Sequence, residues 1–232
     1  MKRFYTSVSV ALGEGGQYGV LLDGRPVRTP ARTVLTVPSQ ALAEAVAAEW
    51  AAQEGEVKPL TMPLTRLAAT TIDRVPAHRA AFIDEIVAHI GNDLLCYRAE
   101  GPADLVARQA SQWDPLLAWA AATHDIRLEA CTGVLHHPQA EASAAAARAL
   151  LEALPGPTLA AAHVLTTTTG SAVLALALLG GAIEAEAAFE AAQLDELYQA
   201  EKWGQDREAL QRRREIRDDI HAATRFARLA AA

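Results

Sequence analysis

The hydrophobic period of this chain changes at Pro38-Ser39, and that change limits the possible folds more than any other feature. Before it, Val8, Val10 and Leu12 alternate with polar or small residues, the two-residue period of a half-buried strand. A glycine-rich turn at residues 13–16 leads to a second strand over 18–22. Asp23-Gly24 is then a strong hairpin signal, because both turn positions tolerate positive φ. Val27 and residues 33–37 continue the sheet, with Pro26 and Pro30 confined to edges and turns. After the change, Ser39 is a good N-cap, and Leu42, Val46 and Trp50 recur every four residues on one helical face.

Beyond a connector over 55–63 that carries two prolines, the chain reads as helical. A short helix over 64–74 precedes a stripe of Phe82, Ile83, Ile86, Val87 and Ile90, with Gly91 where a helix C-cap belongs. Pro102 opens a helix bearing Leu105, Val106, Gln109 and Trp113, expected to break at Asp114-Pro115 and resume through Trp119. Alternation of Ile126, Leu128 and Ala130 suggests a short strand. An alanine-rich helix from about residue 139 ends at Pro155-Gly156-Pro157, and further helices are expected over 159–165, 171–179, 183–202 and 205–229. Hydrophobic residues are 51% of the chain but aromatics only 5%, so alanine and leucine carry the apolar load and favour helices. The expected class is α+β: a small β-rich N-terminal domain with one helix over residues 1–60, and a larger, mainly α-helical domain over 61–232.

Several function classes lose support. A formal net charge of −7 would be repelled by phosphate backbones, so nucleic acid is a poor partner. Two cysteines, Cys96 and Cys131, build neither a disulfide framework nor a metal-type pair, and read as reduced thiols. Residues 164–183 carry no charge, but four threonines and Gly180-Gly181 interrupt them, so a buried helix is expected rather than a membrane span. No secretory signal opens the sequence, which points to the bacterial cytoplasm, or to the mitochondrial matrix for a trimmed chain. No phosphate loop, zinc-protease helix or dinucleotide fingerprint occurs, so no metal or cofactor is expected. The alternative to a non-enzyme is a small-molecule enzyme with a pocket near His124, Cys131 and His136.

Charge is distributed unevenly near the end. Between Gly181 and Leu210, eight acidic residues face only Lys202 and Arg207; from Gln211 to Leu229, six arginines meet three acids. These stretches can pair with one another or present separate patches to a partner. Glu196, Gln199 and Trp203 share one helical side. A tryptophan beside carboxylates can anchor a protein interface, or it can plug the core while the acids form a solvated face. Spacing leaves both open.

Taken together, several segments resemble the F-type ATP synthase alpha-subunit assembly chaperone family, which includes mitochondrial ATP synthase assembly factor 2 and its α-proteobacterial relatives. They are RFY at residues 3–5, LDGRPVRTP at 22–30, and VPS with LAEAVAAEWAAQ at 37–53. MPLTRLAATTID at 62–73, DLLCYRAEGPADLVARQASQWDPLLAW at 93–119 and LDELYQAEKWG at 194–204 complete the set. After Gly204 the sequence QDREALQRRR departs from the acidic residue and His-Asp of eukaryotic members. The resemblance implies a non-catalytic chaperone of α+β build that holds the newly made alpha subunit until it pairs with beta. It implies partner contacts at Glu196 above all, with Asp195, Gln199, Glu201 and Trp203 beside it, and structural roles for Trp50, Asp93, Tyr97 and Arg98.

Overall fold

The structure, a computed structural model, describes residues 2–133 and 135–232. Strand β1 (Val8–Leu12) pairs antiparallel with β2 (Tyr18–Leu22), and β2 pairs with both β3 (Arg25–Pro26) and β4 (Thr36–Val37). The β2–β3 hairpin closes where expected, with Asp23 and Gly24 at φ of 47° and 78°. Helix α1 (Gln40–Ala51) begins at Ser39, whose Oγ accepts the Leu42 N–H at 3.1 Å. Its buried face, with Leu42, Ala43 and Val46, packs on β1, β2 and β4.

Glu49 of α1 and Gln53, just past its end, organise the next segment of the chain. The Glu49 carboxylate accepts the Leu64 and Thr65 N–H groups at 2.7 and 2.8 Å, at the first turn of α2 (Pro63–Asp73). A carboxylate at a helix N-terminus satisfies donors that no helical carbonyl can reach. Gln53 is buried and holds the connector: its Oε1 accepts the Lys58 N–H at 2.8 Å, and its Nε2 donates to the Thr61 hydroxyl at 3.2 Å.

These elements belong to a unit made of Met1–Arg79, Pro155–Ala161 and Ala222–Ala232. The second unit is Ala80–Leu154 with Ala162–His221. Helix α2 packs against α1, and the last residues of the chain return to the first unit, where Leu229 carbonyl accepts from the Ser39 hydroxyl.

In the second unit, α4 (Ala103–His124) is the central element, packed by α5 (Glu141–Glu152), α7 (Ala172–Leu179), α8 (Ala185–Ala192) and α9 (Leu194–Trp203). Residues 172–178 of α7 are all buried, so its uniform apolarity marks a core helix. Among the described residues, no helix is long and apolar enough to cross a membrane. The remaining elements are α3 (Val75–Ile90), β5 (Tyr97–Arg98), β6 (Cys131–Thr132), α6 (Gly156–Thr169) and α10 (Arg207–Ala230). The α+β class expected from the sequence is the class observed.

Four local expectations fail. Helix α4 runs through Pro115 without a break, because Leu105, Gln109, Trp113, Leu116 and Ala120 bury one continuous face, and that burial offsets the lost hydrogen bond. Residues 126–130 form no strand; their backbone groups bond to side chains, Arg127 N–H to Ser143 Oγ at 3.0 Å and Glu129 N–H to Gln139 Oε1 at 2.8 Å. The helix expected over 183–202 divides into α8 and α9 at Gln193, whose φ of −109° and ψ of 19° leave the helical region. Gly91 follows α3 but is not among the residues with positive φ, so it is not a left-handed cap.

Candidate functional surface

Helix α9 has an inner and an outer side with different fates. On the inner side, Leu194 and Tyr198 are buried, and the polar residues are spent on α4. Tyr198 OH donates to Asp104 Oδ1 at 2.7 Å, and Lys202 Nζ lies 3.2 Å from Asp104 Oδ2. Burial and the Asp104 charge push the Tyr198 phenol above its ordinary range, while the Tyr198 hydrogen bond and Lys202 hold the Asp104 carboxyl below its own. Glu201 accepts from Arg108 at 2.8 Å, and Asp195 accepts from the Gln109 amide at 2.8 Å. Gln109, 1% exposed, also accepts the Ala99 N–H at 2.9 Å, so a buried amide joins α9 to the segment after β5.

The outer side is unspent. Glu196 and Gln199 are exposed, and Trp203 is 77% exposed. Burial therefore decides between the two readings of Trp203: it is a surface indole on the same side as a carboxylate and an amide, not a core plug. Gly204 ends the helix at φ 84° and ψ −179°, a conformation open essentially only to glycine, and turns the chain into α10. Of the expected contact residues, the fold thus leaves Glu196, Gln199 and Trp203 available together and engages Asp195 and Glu201 internally.

The arginine-rich helix α10 pairs in part with the acidic segment. Arg217 and His221 approach Glu186 at 2.8 and 3.2 Å. Partial burial alone would raise the Glu186 carboxyl, but these two hydrogen bonds outweigh it and the group sits below its ordinary range. Arg213 donates to Gln205 Oε1 at 2.7 Å. Between α9 and α10 lies a cleft of about 350 Å³ whose walls include Glu196, Asp206, Arg212 and Arg213.

Asp93 and Arg98 make their contacts inside the second unit, and Tyr97 is half-buried in β5. Asp93 is fully buried and accepts the Leu95 and Val173 N–H groups, each at 3.1 Å, so one carboxylate caps both the turn at residues 94–96 and the N-terminus of α7. Its burial raises the carboxyl above its ordinary range despite those donors. Arg98 pairs with Asp114 at 2.7 Å and lies over the Trp113 ring at 5.2 Å. Trp113 itself is 1% exposed and donates from Nε1 to the Ala191 carbonyl at 2.9 Å. Trp50 is half-buried, set edge-on to Tyr5 at 5.7 Å, and its carbonyl accepts from the Tyr5 hydroxyl at 2.7 Å.

Of the residues expected at the alternative enzyme site, Cys131 and His136 both neighbour Tyr97, while His124 contacts Trp119. His124 meets the Trp119 ring at 5.0 Å, whereas His136 Nδ1 lies 3.4 Å from the Tyr97 hydroxyl. Cys131 is half-buried in β6, and among the described residues no group of three or more His, Cys, Asp or Glu side chains could hold a metal. Burial, with Asp93 nearby, pushes the Cys96 thiol up to about 12.

Comparisons with known proteins agree with one another. The family described as ATP12 chaperone protein matches residues 2–121. The mitochondrial atp12 protein of Schizosaccharomyces pombe is 23% identical over 215 residues, covering 88% of this chain and 74% of that protein. The crystal structure of Atp12 from Paracoccus denitrificans matches with a TM-score of 0.92 and 39% identity, over 99% of this chain and 98% of that one. The Atu1473 protein of Agrobacterium tumefaciens matches with a TM-score of 0.93 and 43% identity, over 98% of this chain and 85% of that one.

Proposed function

The chain belongs to the ATP12 chaperone family, and on that premise we propose that it binds the unassembled alpha subunit of the F-type ATP synthase catalytic sector. An orphan alpha subunit exposes the apolar surface that beta later covers, which is an aggregation hazard. A chaperone need only cover that surface reversibly, with an affinity that beta can overcome. No bond is broken, so neither a nucleotide nor a metal is required, and we read the chain as non-catalytic. A bacterial cytoplasm is the setting this reading takes, with the mitochondrial matrix for eukaryotic relatives.

The observation that carries the site assignment is the exposed indole of Trp203 on the same helical side as Glu196 and Gln199. A large amphipathic ring held on a helix supplies contact area at low entropic cost, and Glu196 adds a charge for orientation. Asp195 and Glu201 belong to the same helix but hold α9 in place through Gln109 and Arg108. The arginine-rich α10 forms the other wall of the adjoining cleft.

Co-expression with the alpha subunit tests the reading. Soluble alpha rises in the presence of the chain, and the chain is absent from the assembled synthase. Unchanged soluble alpha refutes the function, and stoichiometric chain in the mature enzyme makes it a structural subunit instead.

A further inference from the structure

A second exposed aromatic stands far along the sequence from Trp203. Phe4 is 64% exposed, and its ring is set edge-on to Tyr5 at 5.3 Å with an interplanar angle of 82°. It borders a groove of about 820 Å³ whose floor includes Tyr5, Leu22, Val27 and Trp50, and whose rim carries Arg25 and Arg28. That volume lies within the range of sites that bury a bound group.

Charge in the groove is one-sided. Among the described residues that line it, Asp23 is the single carboxylate, and it is already committed: it accepts the Thr6 N–H at 3.1 Å and the Ser7 N–H at 2.8 Å, and both hydroxyls as well. Those donors hold its carboxyl down at about 2. Among the described residues neither Arg25 nor Arg28 has a carboxylate partner; Arg28 donates to the Arg32 carbonyl at 2.7 Å.

We propose that this groove is a second docking site on the chaperone for its client, and that it takes an extended segment in which an apolar side chain is flanked by carboxylates. The apolar side chain packs between the Phe4 ring and the floor of Leu22 and Val27. The carboxylates pair with Arg25 and Arg28. The outer side of α9 offers Glu196, of opposite sign.

The proposal rests on the alpha-subunit reading, and its test separates the two. A photo-crosslinking benzoylphenylalanine replaces Phe4 in one chain and Trp203 in another, each co-expressed with the alpha subunit. Both positions crosslink to alpha, and the Phe4 product maps to an acidic segment. The Arg25→Glu/Arg28→Glu pair, both exposed, cuts the Phe4 product by about tenfold and leaves the Trp203 product unchanged. A Trp203 product without a Phe4 product overturns the groove and spares the function. So does a Phe4 product that joins two copies of this chain, that maps to a segment free of Asp and Glu, or that ignores the charge reversal. Crosslinking from neither position refutes the alpha-subunit reading, and the groove's client with it.

Discussion

On the proposed reading, replacing Trp203 with alanine is expected to separate folding from binding, because little of its indole is covered in the free protein. The residue is 77% exposed. Taking about 250 Å² for a tryptophan side chain, roughly a quarter, about 60 Å², is covered in the free protein. At about 25 cal/mol per Å², Trp203→Ala costs about 1.5 kcal/mol of stability at most. The remaining area, about 190 Å², is free to be buried by a partner. Truncating such an anchor costs about 2–4 kcal/mol of binding, which weakens Kd about 30- to 1,000-fold. Trp113→Ala is the internal control. Trp113 is 1% exposed and loses its bond to the Ala191 carbonyl when truncated, so it costs about 3–5 kcal/mol of stability. Urea unfolding gives the stabilities and titration of purified alpha subunit gives the affinities. A Trp203→Ala chain that unfolds as readily as Trp113→Ala, or that binds alpha as tightly as the wild type, refutes the reasoning.

Three further outcomes rest on the same geometry. Gln109→Ala removes the partner of both Ala99 N–H and the Asp195 carboxylate; it costs about 3 kcal/mol in urea unfolding, and a change under about 1 kcal/mol would show that the buried amide is not a tie. At pH 8 a disulfide reagent titrates Cys131 in the native chain and reaches Cys96 only after denaturant is added, since a thiol pushed up to about 12 carries almost no thiolate; two fast native thiols would contradict this. For Asp23, the folded pKa lies below the unfolded one, so its stabilising contribution is present above about pH 4 and is lost as pH falls through about 2. Carbon-detected NMR titration of its carboxyl, with a midpoint near the ordinary aspartate value, would show the Thr6 and Ser7 bonds to be absent.

Much of this fold is readable from sequence wherever one local rule decides the outcome. The Asp23-Gly24 hairpin, the Ser39 cap and the change of period at residue 38 each need only their immediate neighbours. Pro115 shows where local rules stop. Its effect on helix propensity is visible in the sequence, but the buried face that overrides it exists only once α7, α8 and α9 pack on α4. The segment after Asp125 fails for a related reason: alternation of Ile126, Leu128 and Ala130 is real, yet its hydrogen-bond partners are Ser143 and Gln139 side chains rather than a strand.

The candidate surface was only half legible. Spacing puts Glu196, Gln199 and Trp203 on one side of a helix, but it cannot tell which side faces the core. That choice is made by Tyr198 and Asp104, Glu201 and Arg108, and Asp195 and Gln109, pairs separated by 86 to 94 positions. The stretch LAEAVAAEWAAQ contains Glu49, Trp50 and Gln53 but does not show their reasons. The structure supplies two: Glu49 caps α2 and Gln53 holds the connector. Trp50 differs, because its ring supports Tyr5 while its N–H finds no acceptor among the described residues. Separation in sequence therefore hides what is adjacent in space.

On the proposed reading, this chain holds the alpha subunit only until beta replaces it. Size-exclusion chromatography of purified alpha, with the chain added in equal amount and then with beta, tests that sequence of events directly. The expected result is an alpha–chaperone complex that disappears as alpha and beta co-elute and the free chaperone returns. An alpha subunit that never forms the complex, or a complex that persists with beta bound, contradicts it.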